Sequence, residues 1–102
     1  MVFRVEISPS ALQDIENILI WMTENYPEIA EEWYFGILDA IQTLNKFPNR
    51  CSLAPENEEI GSEIRQLLYK QHRIIFRIID DSVFIYRIRH IARDRIVSED
   101  LQ

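Results

Sequence analysis

The stretch IRQLLYKQHRIIFRIIDDSVFIYRIRHIARDR, residues 64–95, decides how this chain folds. Three strand-like runs lie within it, 64–70, 72–79 and 83–89, the last two rich in β-branched and aromatic residues. Alternating runs of this length are the pattern of half-buried strands. Asp80-Asp81-Ser82 supplies a turn between the last two runs, and the gap between 70 and 72 is short enough for the first two to pair as a hairpin. Ile74, Phe76 and Ile78 alternate with Arg73, Ile75 and Arg77, while Phe84, Tyr86 and Ile88 alternate with Ile85, Arg87 and Arg89. Successive strand side chains point to opposite faces, so Arg73, Arg77, Arg87 and Arg89 are expected opposite the face that holds Phe76 and Phe84.

Upstream, residues 48–63 (PNRCSLAPENEEIGSE) carry two prolines, a glycine and four glutamates, and read as a polar loop. Before it come two helical patterns. Leu12, Ile15, Ile18, Leu19, Met22 and Tyr26 form one apolar stripe, and Ile29, Trp33, Ile37, Ala40, Ile41, Leu44 and Phe47 form the next. Pro27 separates them, and Glu28, Glu31 and Glu32 crowd the start of the second helix, where the macrodipole favours negative charge. Two amphipathic helices with so short a connection predict an antiparallel helical hairpin. Ser8-Pro9 is a helix start, with Ser10 and Gln13 as a competing cap. VFRVEI at 2–7 alternates as a first strand. Trp33 falls on the core stripe and Trp21 off it, at the hairpin seam or on a partner surface. The last residues, 97–102, read as a frayed tail.

The predicted order is therefore β-α-α-β-β-β, an α+β fold. The helical hairpin packs on one face of a small antiparallel sheet and leaves the arginine face open. A chain of 102 residues, 47% of them hydrophobic, forms a single domain over 1–102 and folds without staples. Cys51 is the only cysteine, which rules out an internal disulfide, and two glycines are too few for a phosphate-cradling loop. MVFRVEISPS lacks the apolar core of a signal peptide and no run reaches membrane-span length, so a cytoplasmic protein without membrane contact is expected. His72 and His90 are too few for a metal site, and no cofactor is expected. The charge is uneven. Residues 64–95 place Arg65, Lys70, Arg73, Arg77, Arg87, Arg89, Arg93 and Arg95 against Asp80, Asp81 and Asp94, in a chain of net charge −6. That asymmetry suggests a polyanionic or acidic partner at the basic half.

The SPSA opening, the element order and the ordered C-terminal set resemble the RelE/ParE superfamily, the toxin halves of type II toxin–antitoxin modules. That set is an arginine, an aromatic residue, the strand RIIFRI and a final His-x-x-Arg-Asp. The resemblance spans residues 2 to about 95. It implies a plasmid-stabilisation toxin neutralised by a cognate antitoxin in a hetero-oligomer. The antitoxin's C-terminal segment would wrap the helical hairpin and an exposed sheet edge. Antitoxin tails are often acidic, which would suit the basic block.

Two modes of action follow from the resemblance: RelE-like members cleave mRNA in the ribosome, and ParE-like members inhibit DNA gyrase. For cleavage, Arg73 and Arg93 match the two arginines that hold the scissile phosphate, a task suited to bidentate guanidinium groups, and His90 would serve as base. The paired lysines of RelE-like toxins are replaced by Lys70 and Arg65, and their C-terminal tyrosine has no counterpart. The ParE-like reading needs only the fold, a partner groove and a basic surface, here Arg65, Lys70, Arg77, Arg87 and Arg89, and is preferred. The alternative class is a non-toxic binding module that keeps the fold.

Overall fold

Seven elements account for most of the chain. In the computed structural model, which describes residues 2–92 and 95–101, they are β1 (Arg4–Ile7), α1 (Pro9–Asn25), α2 (Pro27–Gln42), a short α3 (Asn57–Ile60), β2 (Arg65–Tyr69), β3 (His72–Ile79) and β4 (Ser82–His90). Three 3₁₀ turns, Thr43–Asn45, Pro48–Arg50 and Ser98–Leu101, complete the described elements. The sheet order is β1-β4-β3-β2. β2, β3 and β4 pair antiparallel, as the two turns require. The expected α+β architecture stands, but the sheet is mixed: β1 runs parallel to β4, with Val5 opposite Val83 and Ile7 opposite Ile85. Parallel neighbours need a long crossover, and everything between β1 and β4 supplies it.

Ser8 settles the start of α1. Its Oγ accepts from the Ala11 N–H at 3.0 Å, Pro9 occupies the first turn, and the competing cap at Ser10 is unused. The same Oγ donates to the Tyr86 carbonyl at 2.8 Å, and the Ser8 N–H donates to the Ile85 carbonyl. One side chain thus couples the end of β1, the cap of α1 and the middle of β4.

Tyr86 sits at an irregularity that strand alternation alone does not foresee. Ile75 faces Arg87 and the next residue, Phe76, faces Ile85, so β4 carries one extra residue. A bulge of this kind shifts the inside–outside pattern by one. The expectation that Phe84 shares the core face with Phe76 is corrected: Val83, Ile85 and Ile88 are buried there, and Phe84 lies across from Arg77 on the other face. Arg73, Arg87 and Arg89 keep the expected face, because the bulge falls between Ile85 and Arg87.

The main core joins Ala11, Ile15, Ile37, Ile41 and Trp33 of the hairpin to Ile74, Phe76, Val83 and Ile85 of the sheet. α2 approaches the sheet at Gly36, where an added Cβ would run into the Tyr69 hydroxyl. The opposite face is not open. Ala54, Ile64 and Ile96 pack on Ile75 as a second core, with Ile60 and Leu101 against it. The polar loop and the chain's last turn therefore lie over the arginine face, and the tail expected to fray is docked through Leu101 and Asp100. No helix among the described residues is long and apolar enough to cross a membrane.

Candidate functional site

Arg73 and Arg89 face each other across β3 and β4, with Arg87 one pleat along opposite Ile75. On an uncovered sheet these cations would form the basic surface expected from sequence; here each has an internal partner. Arg73 is 6% exposed and grips Glu56 with both terminal nitrogens, at 2.9 and 2.6 Å, while its Nε donates to Gln66 at 2.8 Å. Glu56, expected on a polar loop surface, is 1% exposed and also accepts the Ile96 N–H. Burial alone would raise the Glu56 carboxyl, but hydrogen bonds from Arg73 and Ile96 outweigh it and hold the pKa at about 2. Arg87 donates to both oxygens of Asp14 at 2.8 Å and to Asp100 at 2.9 Å, and Arg89 joins Asp100 at 2.8 Å. The hydrogen bond to Asp14 raises the Arg87 pKa further.

Arg65 lies on the helix side, donating to the Cys51 carbonyl at 2.6 Å and pairing with Glu63. The Cys51 thiol is buried, and burial pushes its pKa up. Arg95 pairs with Glu59 at the surface. Arg77, on the covered face, and Lys70, in the β2–β3 turn, make no ion pair among the described residues. Lys70 Nζ stands 5.8 Å from the Tyr69 ring centre.

The residues expected to form a nuclease centre do not converge. His90 faces His72 across the strand pair, on the helix side, whereas Arg73 faces Arg89 on the other side. Arg93 lies outside the described residues. His90 instead packs its ring against His72 at 5.6 Å and accepts the Ala92 N–H on Nδ1. Among the described residues, no group of three or more His, Cys, Asp or Glu is placed to hold a metal ion.

His72 and His90 open instead onto a groove of about 810 Å³ between the hairpin and the sheet. Ile18, Met22, Trp33 and Ile88 line it, Trp21 and Tyr26 lean together at 5.6 Å on the helical side, and Ile29 and Glu32 line it from α2. Tyr26 and Ile29 were expected on core stripes, yet they are 48% and 45% exposed, and Trp21 is 54% exposed. A large, part-aromatic concavity beside an exposed Trp is the usual form of a protein-docking site. Trp21 carried the signal in sequence, as an aromatic off the stripe; Tyr26 and Ile29 did not, because helical spacing cannot tell a covered stripe from an uncovered one.

Residues 5–95 match the family described as the ParE toxin of the type II toxin–antitoxin system parDE. The chain belongs to the ParE toxin family. Toxin RelE1 of Caulobacter vibrioides is 30% identical over 91 residues, which cover 88% of this chain and 95% of that one. A structure of the chromosomal ParDE system from P. aeruginosa superposes with a TM-score of 0.73 at 19% identity, covering 88% of this chain and 97% of its own. The RelBE2 toxin–antitoxin complex from Mycobacterium tuberculosis superposes at 0.55 and 20% identity, covering 88% and 99%. At those identities the likeness shows the fold, common to the ParE and RelE branches of the superfamily. The ParE-family fold of this chain thus carries on one side an arginine face where Arg73, Arg87 and Arg89 are paired internally, and on the other an apolar groove.

Proposed function

We propose that this chain is a growth-inhibiting toxin of the ParE type, acting on DNA gyrase and held inactive by a cognate antitoxin that occupies the groove. The observation that carries the choice of mode is the state of Arg73. A phosphate-binding arginine must offer its donors to the substrate, and here Glu56 and Gln66 accept from all three nitrogens of the guanidinium. Freeing it would strand a buried carboxylate, a cost of several kcal/mol. His90, the candidate base, stands on the opposite face of the sheet, which further weakens cleavage chemistry. The ParE-like mode needs no acid–base centre and loses nothing by this arrangement. Arg65, Lys70, Arg77, Arg87 and Arg89 then divide by role: Lys70 and Arg77 remain as candidate target contacts, and the paired three hold the fold.

Purified protein added to a gyrase supercoiling assay should block supercoiling and leave mRNA intact in a ribosome-programmed translation reaction. Ribosome-dependent cleavage, the second reading and the one the name of the Caulobacter relative favours, would overturn the proposal. Induced expression should arrest growth, and co-expression of the adjacent antitoxin gene should restore it. Harmless expression of the chain alone would assign it instead to the non-toxic binding modules.

A further inference from the structure

The helical hairpin has a charge pattern that the basic half of the chain conceals. Residues 9–45 contain Asp14, Glu16, Glu24, Glu28, Glu31, Glu32 and Asp39, and not one Lys or Arg. Among the described residues only Asp14 of these seven makes an ion pair. Among the described cations of residues 64–95, Arg73, Arg87 and Arg89 are already taken up by ion pairs. Arg87 and Arg89 are balanced by Asp14 and Asp100, and Arg73 by Glu56. At cellular salt, charges more than about 8 Å away are largely screened, so the groove responds to its own rim. Glu32 lines the groove, and Glu28 lies one helical turn before it on α2. Across the groove, Lys70 is the one lining cation without an ion pair among the described residues.

Backbone geometry narrows the form of the occupant. An added strand would need free N–H groups along β4, beyond the end of β1. There the Ile88 N–H already donates to Asp14 at 3.0 Å, and Ser8 takes up the Ile85 and Tyr86 carbonyls. A helix satisfies its own backbone and asks only for side-chain contact, which Trp21, Tyr26 and Ile29 offer.

We infer that the groove is built for a cationic amphipathic helix, whose apolar stripe covers Trp21, Tyr26 and Ile29 and whose Lys or Arg side chains lie along Glu28 and Glu32. This rests on the reading of the groove as the antitoxin site and names the partner's chemistry. It reverses the acidic partner expected from the charge of residues 64–95 alone.

The test uses the full chain and two helical peptides of about five turns (~18 residues). Their apolar stripes are identical, and their polar positions are all Lys in one and all Glu in the other. Binding is read from the fluorescence of Trp21, half exposed in the groove, while Trp33 is buried. The Lys peptide should bind at least about tenfold tighter at low salt and weaken as salt rises. The double variant Glu28→Lys, Glu32→Lys, checked for folding by circular dichroism, should reverse the order. The Glu28→Gln, Glu32→Gln pair, which removes charge without reversing it, should fall between. Tighter binding of the Glu peptide to the unaltered chain overturns the charge inference and leaves the groove as the docking site. Binding of the Lys peptide that Trp21→Ala leaves undiminished, read by calorimetry, or no binding of either peptide, overturns the groove itself.

Discussion

At Glu56, a carboxyl whose ordinary pKa is 4.5 is held at about 2 by its hydrogen bonds with Arg73 and the Ile96 N–H. A depressed folded-state pKa contributes stability that is full above the unfolded value and is lost as pH falls towards the folded one. Thermal melts should therefore show a midpoint that declines between about pH 4.5 and 2, with a shallower acid limb in Glu56→Gln. That variant also takes the bidentate Glu56 carboxylate away from the buried, charged Arg73, so it should lose about 3–5 kcal/mol in denaturant unfolding, much of a small domain's total stability. Arg73→Ala strands Glu56 in the same way, and its loss of toxicity would report unfolding rather than missing chemistry. The face on which Arg73, Arg77, Arg87 and Arg89 lie was legible from two-residue alternation. The counter-charges were not: Glu56 sits among four glutamates of a polar loop, and Asp14 is 73 residues from Arg87. Nothing local distinguishes a carboxylate that folds back from one that stays in water.

Among the elements, the two long helices and the four strands could be read directly, because their apolar periods and the prolines and the Asp80-Asp81-Ser82 turn marked them out, whereas the short α3 lay hidden in the run read as a polar loop. The parallel partner of β1 could not, since no local pattern states which strand a first strand will meet. The bulge at Tyr86 escaped for a related reason: five consecutive residues, Val83 to Arg87, fit strand spacing in either phase, and the carbonyl of the extra residue meets its partner Ser8 from 78 residues away. Ser8→Ala removes a cap and the partner of the bulged carbonyl together, and should cost about 1–2 kcal/mol in a thermal melt. Gly36→Ala should destabilise by about 1–3 kcal/mol through overpacking against Tyr69. Tyr69→Phe should recover part of that loss in a double-mutant cycle, because the hydroxyl is the nearest atom and the ring carbon behind it is still only 2.9 Å away.

Over the whole molecule, the sheet lies between two cores of different make: a large apolar one under the helices, and a small one in which Ile64, Ile75 and Ile96 are ringed by Glu56, Arg73, Asp100 and Arg87. The second core depends on the chain's last residues. Truncation after Ile96 removes Asp100 and Leu101 and should lower the melting midpoint by about 4–8 °C for each kcal/mol lost. A truncated chain as stable as the full one would show that the docked tail adds nothing. The placement of β1 has a further consequence, for timing during synthesis. β1 is complete at Ile7, yet its neighbour β4 begins at Ser82. At roughly 5–20 residues per second, the first strand waits about 4–16 s for a partner to be made. The sheet cannot close on a partial chain, and the arginine staples to Asp14 and Asp100 come later still. A growing polypeptide therefore cannot reach the folded state, or any activity that needs it, until β4 has been made.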